Sequence, residues 1–196
     1  MQFYNASDFI FKKLTSELPK TLYYHGSAHT RDVFSVAGFL AEKEKINPYL
    51  TQLILTAASY HDSGFLNCYA GHEEASCHIA EEYLPSFNYT KEEIELICGM
   101  IRATRIPQSP QTPLEQIIAD ADLDYLGRDD YFTISNQLFK ELLHTGLIND
   151  ETEWERLQIS FIESHQYFTK TSIRLREDKK QSNLEKIKAR INKSAL

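Results

Sequence analysis

A chain of 196 residues, 42% hydrophobic and 25% charged, is long enough for one domain with a substantial core, and its composition excludes wholesale disorder. The formal net charge of −7 gives no overall electrostatic case for nucleic-acid binding. From Thr169 onward, however, nine Lys/Arg stand against three Asp/Glu, so a basic tail of net +6 follows a body of net −13; such a tail reads as solvated surface.

The opening segment, MQFYNASDFIFKK, lacks a basic stretch followed by a long apolar run, so no signal peptide is expected. No apolar run approaches the length of a membrane span, and a soluble, cytoplasmic protein is the default expectation. Val33, Val36, Ala37 and Leu40 then share one helical face. Asn47-Pro48 places an N-cap before a first-turn proline and predicts a helix through Leu50, Leu53, Ile54, Ala57 and Ala58. The three cysteines, Cys68, Cys77 and Cys98, form no CxxC pair and predict no disulfide framework. Thr90 with Glu93, and Thr112-Pro113 with Glu115, are capping boxes ahead of helically spaced apolar residues. Phe132, Leu138, Phe139 and Leu142 form a looser amphipathic face, and residues 151–168 read as a helix with an acidic first turn. Leu184, Ile187 and Ile191 share a face, which predicts a docked terminal helix. No run alternates with period two, so the expected fold is an all-α bundle. Its expected parts are a helical domain over 1–168 and a basic C-terminal helical extension over 169–196.

Histidines and carboxylates gather at the predicted helix boundaries. In order they are YHGSAHTRDV (His25, His29), SYHDSGF (His61, Asp62), GHEEASCH (His72, Glu73, His78) and IIADADLDYLGRDD (Asp120, Asp122, Asp124). Carboxylates in so apolar a setting are costly to bury alone, and a cation shared with imidazoles removes that cost. Imidazoles and carboxylates without thiolates suit Mn, Fe, Mg or Zn ions. Adjacent His61 and Asp62 point about 100° apart on a regular helix, so converging on one ion requires a break. Gly64, as a left-handed residue ending the helix, is the expected break. His78, six residues after His72, lies off its face and reads as structural.

His29, the His61-Asp62 doublet and the distant Asp122, each in its local context, resemble the H…HD…D signature of the HD-domain metal-dependent phosphohydrolases over residues 20–130. The resemblance implies a compact multi-helix bundle in which His29, His61, Asp62 and Asp122 bind one divalent metal (Mn, Fe, Mg, Ni, Co or Zn), with Asp120 as the alternative to Asp122. Dinuclear relatives carry further histidines; His72 fits the first, but Ala103-Thr104 stands where the next would fall, so one metal is expected. The implied function is a metal-dependent phosphohydrolase that cleaves a small phosphoester, a nucleotide or related metabolite, with a metal-activated water. Asp62, His72 and Glu73 are the candidate catalytic groups, the first orienting water and the other two relaying a proton. Arg102, Arg105 and Arg128 are candidates to neutralise phosphate, and His25 either touches substrate or supports its loop. The alternatives are a non-catalytic module that binds a nucleotide and signals to a partner, and a di-iron oxygenase.

Overall fold

The computed structural model describes residues 1–194, and the helical periodicity of the sequence carries through them. The elements are α1 (Phe3–Glu17), α2 (Ser27–Lys43), α3 (Pro48–Tyr60), α4 (His72–Tyr83), α5 (Lys91–Arg102), α6 (Pro113–Asp122), α7 (Tyr131–His144), α8 (Glu151–Ser164) and α9 (Lys170–Ser194). Short 3-10 turns at Ser63–Leu66, Leu84–Phe87 and Asp124–Gly127 join them, and no strand occurs among the described residues. Local chemistry sets the starts. Asn47 Oδ1 accepts from Leu50 N–H at 3.0 Å, with Pro48 opening α3. Thr90 and Thr112 each form a complete capping box with Glu93 and Glu115; each cap contributes about 1 kcal/mol.

Two apolar clusters hold the bundle. The larger joins α1 to α6 through residues such as Ala37, Leu40, Leu53, Ile97 and Ile118, all fully buried. The smaller comprises Tyr24, Leu126, Tyr131, Ile162, Leu184 and Ile187 with their neighbours. The chain passes between the clusters at three places: between Leu14 and Tyr24, between Tyr24 and Val33, and between Ala121 and Leu123. His25 and His29 lie on the second crossing and Asp122 on the third.

The helix expected over 151–168 ends at Ser164. Residues 165–168 leave the helix so that Phe168 and Thr169 can donate their N–H groups to the two oxygens of Asp120, at 2.9 and 2.8 Å. The basic segment then returns as α9, burying Leu184 and Ile187 while Ile191 is half-buried. Asn183 Nδ2 donates to the carbonyls of Leu126 and Arg128, and Arg176 Nε donates to Asp124 at 2.7 Å. Residues 195 and 196 of the extension expected over 169–196 lie outside the described residues. Among the described residues no helix is long and apolar enough to cross a membrane, and the three cysteines are free.

Gly64 corrects the expectation of a left-handed terminus. It sits inside the 3-10 turn Ser63–Leu66, and the left-handed glycines are Gly71 and Gly146. Its glycine is needed for close approach, because a Cβ there would lie 1.9 Å from the carbonyl oxygen of His72. Gly64→Ala should therefore force α4 away from the turn, at a cost reaching or passing the ~3 kcal/mol upper end of ordinary overpacking. Urea unfolding checks this against Gly99→Ala, whose nearest neighbour would be a flexible side-chain oxygen at 3.7 Å; that variant should stay within about 1 kcal/mol of the parent.

Candidate metal centre

The last turn of α3 delivers the doublet. His61 keeps helical angles, but Asp62 moves to φ −101°, ψ 7°, the sparsely populated bridge region where chains turn sharply. Ser76 of α4 secures the turn: its hydroxyl donates to the His61 carbonyl at 2.6 Å and accepts from Gly64 N–H at 2.7 Å. His61 Nδ1 lies 2.9 Å from the carbonyl oxygen of Ala58. A carbonyl can only accept, so Nδ1 carries the proton and Nε2 of the neutral ring presents a lone pair.

Around that lone pair stand donors from three helices. His29 Nε2 lies 3.0 Å from Asp122 Oδ1 and 3.5 Å from Asp62 Oδ2. His61 Nε2 lies 3.3 Å from Asp62 Oδ2 and 3.5 Å from Asp122 Oδ1. The ligand atoms of His29, His61 and Asp122 all fall within 4.8 Å of one another, the one such group of three among the described residues. Donors sharing one octahedral ion at about 2.1 Å stand about 3.0 Å apart, close to the spacings here. His61 Nε2 and Asp62 Oδ2 are buried yet make no hydrogen bond. Two orphaned ligand-type atoms facing one point fit a divalent cation, because burial without a partner is otherwise costly for both.

The electrostatics agree. Burial alone would push the His61 imidazolium down, but Asp62 and Asp122 outweigh it and hold its pKa well above the usual 6.5. Burial would likewise raise both carboxyls, yet the imidazoles hold Asp122 down to about 2 and Asp62 lower still. The arrangement stores positive charge at this point, as a proton or as a cation.

The other predicted residues divide by location. His72 Nδ1 faces the Tyr69 carbonyl at 3.2 Å, which leaves Nε2 turned to Asp62 Oδ1 at 3.6 Å and Glu73 Oε1 at 3.8 Å. His25 and His72 both stack on one ring, Phe65, with centroids 4.3 and 4.1 Å away. His25, Asp62, His72, Glu73 and Asp122 line part of a cavity of about 210 Å³. Arg102, Arg105 and Arg128 lie outside its lining. Arg102 donates twice to Glu74, at 2.9 and 2.7 Å, and half-exposed Arg105 stands 3.8 Å from Glu73. Arg128 bridges Asp32 and Asp130. Asp120, the alternative ligand, points away to cap the chain at Phe168 and Thr169, and His78 is exposed beside Glu81.

Glu141 of α7 belongs to the site although nothing in the sequence singles it out. Fully buried, it accepts from Tyr24 N–H, His25 N–H and Tyr69 O–H, and its other contact is His25 Nδ1. An ionised carboxylate fixes the proton on His25 Nδ1 and leaves Nε2 as the free nitrogen.

No family model matches the chain, and no curated protein matches it in sequence. Three solved structures do match in fold. A predicted HD superfamily hydrolase from an uncultured Thermotogales bacterium is 18% identical with a TM-score of 0.64, covering 97% of this chain and 91% of its own. Bacillus subtilis YpgQ, solved in complex with ADP, is 19% identical with a TM-score of 0.67, covering 96% of this chain and 95% of its own. A Lactobacillus plantarum protein is also 19% identical with a TM-score of 0.67, covering 98% and 99%. At these identities the likeness is one of fold alone, shared with a protein described as a predicted HD superfamily hydrolase.

Burial would raise the Glu141 carboxyl, but the contact with His25 and the two backbone N–H groups hold it below its usual 4.5. A lowered carboxylate pKa contributes stability that is present above about pH 4.5 and is lost as pH falls through the lower folded value. Glu141→Gln should therefore cost about 2 kcal/mol at neutral pH. Urea unfolding midpoints should show that difference shrinking toward zero as the pH falls below the folded value.

Proposed function

We propose that the protein is a metal-dependent phosphohydrolase acting on a small phosphoester, with His29, His61, Asp62 and Asp122 holding one divalent cation. The observation that carries this reading is the pair of buried, unpartnered atoms, His61 Nε2 and Asp62 Oδ2, beside a cavity that Asp62 itself lines. When bound, such an ion supplies Lewis acidity toward a phosphoryl oxygen and lowers the pKa of a water beside it.

The chain's own groups cover the remaining needs. Asp62 presents Oδ1 toward His72 while Oδ2 faces the imidazoles, so one carboxylate can hold the ion and orient a water. His72 Nε2, with its other nitrogen turned to the Tyr69 carbonyl, is the group to pass a proton to the leaving oxygen. Glu73, buried beside it, receives or returns that proton. Arg105, exposed beside Glu73 and Glu74, favours approach of an anion to these carboxylates' neighbourhood. His25 is set by Glu141 with Nε2 free for a phosphoryl oxygen or its water.

The second reading is a module that binds a nucleotide without turning it over, and the ADP bound by the Bacillus subtilis neighbour favours it. Elemental analysis of purified protein should find about one divalent metal per chain. Phosphate release from a mixed monoester and diester panel should fall at least ~10³-fold in His61→Ala and Asp122→Ala. Stabilisation by ADP without phosphate release from any panel member would select the second reading. Metal must displace the proton that Asp62 and Asp122 hold on His61, so its affinity should rise with pH. Binding in weakly buffered solution should acidify the medium, which a pH electrode records.

A further inference from the structure

The cavity's lining is of two chemical kinds. Beyond the histidines and carboxylates, its wall is made by Leu126, Tyr131, Leu138, Trp154, Phe161 and Ile162. Among the described residues no lysine or arginine lines it. The hydroxyls along that wall already have protein partners, Tyr24 and Tyr125 being paired with each other. Thr104 donates to the Ile101 carbonyl at 2.8 Å, Ser135 turns to the Phe132 carbonyl, and the Tyr131 hydroxyl donates to Gln158 Oε1 at 2.6 Å. What remains toward a ligand is one donor atom, the amide nitrogen of Gln158 with its two N–H groups, beside hydroxyl oxygens that can only accept.

A nucleoside places a sugar and a base edge in its pocket, each with several polar atoms that require partners once out of water. A chain of phosphates adds charges that guanidinium or ammonium groups ordinarily meet. This wall offers few such partners and no cationic side chain. On the phosphohydrolase reading above, we infer that the substrate is a monophosphate ester of an apolar alcohol, alkyl or aryl, whose organic half fills the space between α7 and α8. It carries at most one acceptor, for Gln158. In the reaction the oxygen of water bonds phosphorus, the bond from phosphorus to the ester oxygen breaks, and one proton of that water ends on the released alcohol. The products are the alcohol and inorganic phosphate.

Trp154 is the only tryptophan in the chain and lines the cavity, so its emission reports occupancy. The test titrates the zinc-loaded full chain with methyl-, butyl- and hexylphosphonate, which cannot be hydrolysed, and with AMP and ADP. Each buried methylene contributes about fourfold in affinity. Hexylphosphonate should bind at least tenfold more tightly than methylphosphonate and more tightly than either nucleotide. Leu138→Asp should weaken it more than tenfold. Leu157→Gln, at a half-exposed position on the same wall, should weaken it about threefold and keeps the test valid if the first variant does not fold. Tighter binding of AMP or ADP, or equal binding along the phosphonate series, overturns the inference. Hexyl phosphate assayed for phosphate release separates the two levels. Chain-length-dependent binding without release removes the hydrolase reading and leaves the apolar ligand class standing. Phosphate release from small esters with no dependence on chain length does the reverse.

Discussion

Two carboxylates, Asp62 and Asp122, are held among imidazoles and largely out of water, and the rest of the molecule is arranged around that constraint. An uncompensated carboxylate at such a depth costs several kcal/mol, more than a few well-packed side chains return. Compensation has to come from far along the chain. His29 is brought by α2, His61 by the end of α3, and Asp122 by the end of α6. The packing of these three helices in the larger apolar cluster is thus a precondition of the site and not merely its scaffold. A positive charge at the centre, proton or cation, is in turn a condition for leaving those helix ends packed.

The run of aspartates at 120, 122 and 124 illustrates how one short stretch serves three demands. Asp120, wholly buried on α6, accepts the two N–H groups that the chain exposes between α8 and α9. Asp122 closes α6 and faces the imidazoles. Asp124, past the helix end, holds Arg176 of α9 and stands 3.7 Å from Arg128. One residue per two positions turns by about 200° on a helix, so neighbours in this alternation must face opposite sides until the helix stops. The middle aspartate is therefore the one left to look into the crossing between the two apolar clusters.

What was legible in the sequence was local, and what was not was distant. Asn47, Thr90 and Thr112 bond to groups three residues away, so their caps could be read directly and formed as read. Helix α1 has no capping side chain and no acidic first turn, and it passed without a start signal. Gly64 could be seen as special, but the reason is a contact with the His72 carbonyl across the turn, and a glycine of that kind resembles one needed for a left-handed angle. Glu141 lies 116 residues from His25, in a helix whose sequence offers no cue. Glu74, the partner of Arg102, and Asp32, one of the partners of Arg128, are likewise distant in sequence, and both guanidinium groups are engaged outside the cavity lining.

Helix α7 joins the chemistry to the shape of the cavity. Ser135, Leu138 and Leu142 line the apolar wall, and Glu141, three residues beyond Leu138, is bonded to His25 and to the backbone entering α2. Residues at these spacings share one helical face, so a shift of α7 that widens the cavity also carries the Glu141 carboxylate. Because that carboxylate fixes which nitrogen of His25 bears the proton, the width of the cavity and the tautomer of His25 are mechanically linked. An ordinary amphipathic helix facing the core would carry an apolar side chain at position 141. A buried glutamate there, satisfied entirely by groups from the α2 entry and Tyr69, makes sense if the wall and the acidic groups must be held in register.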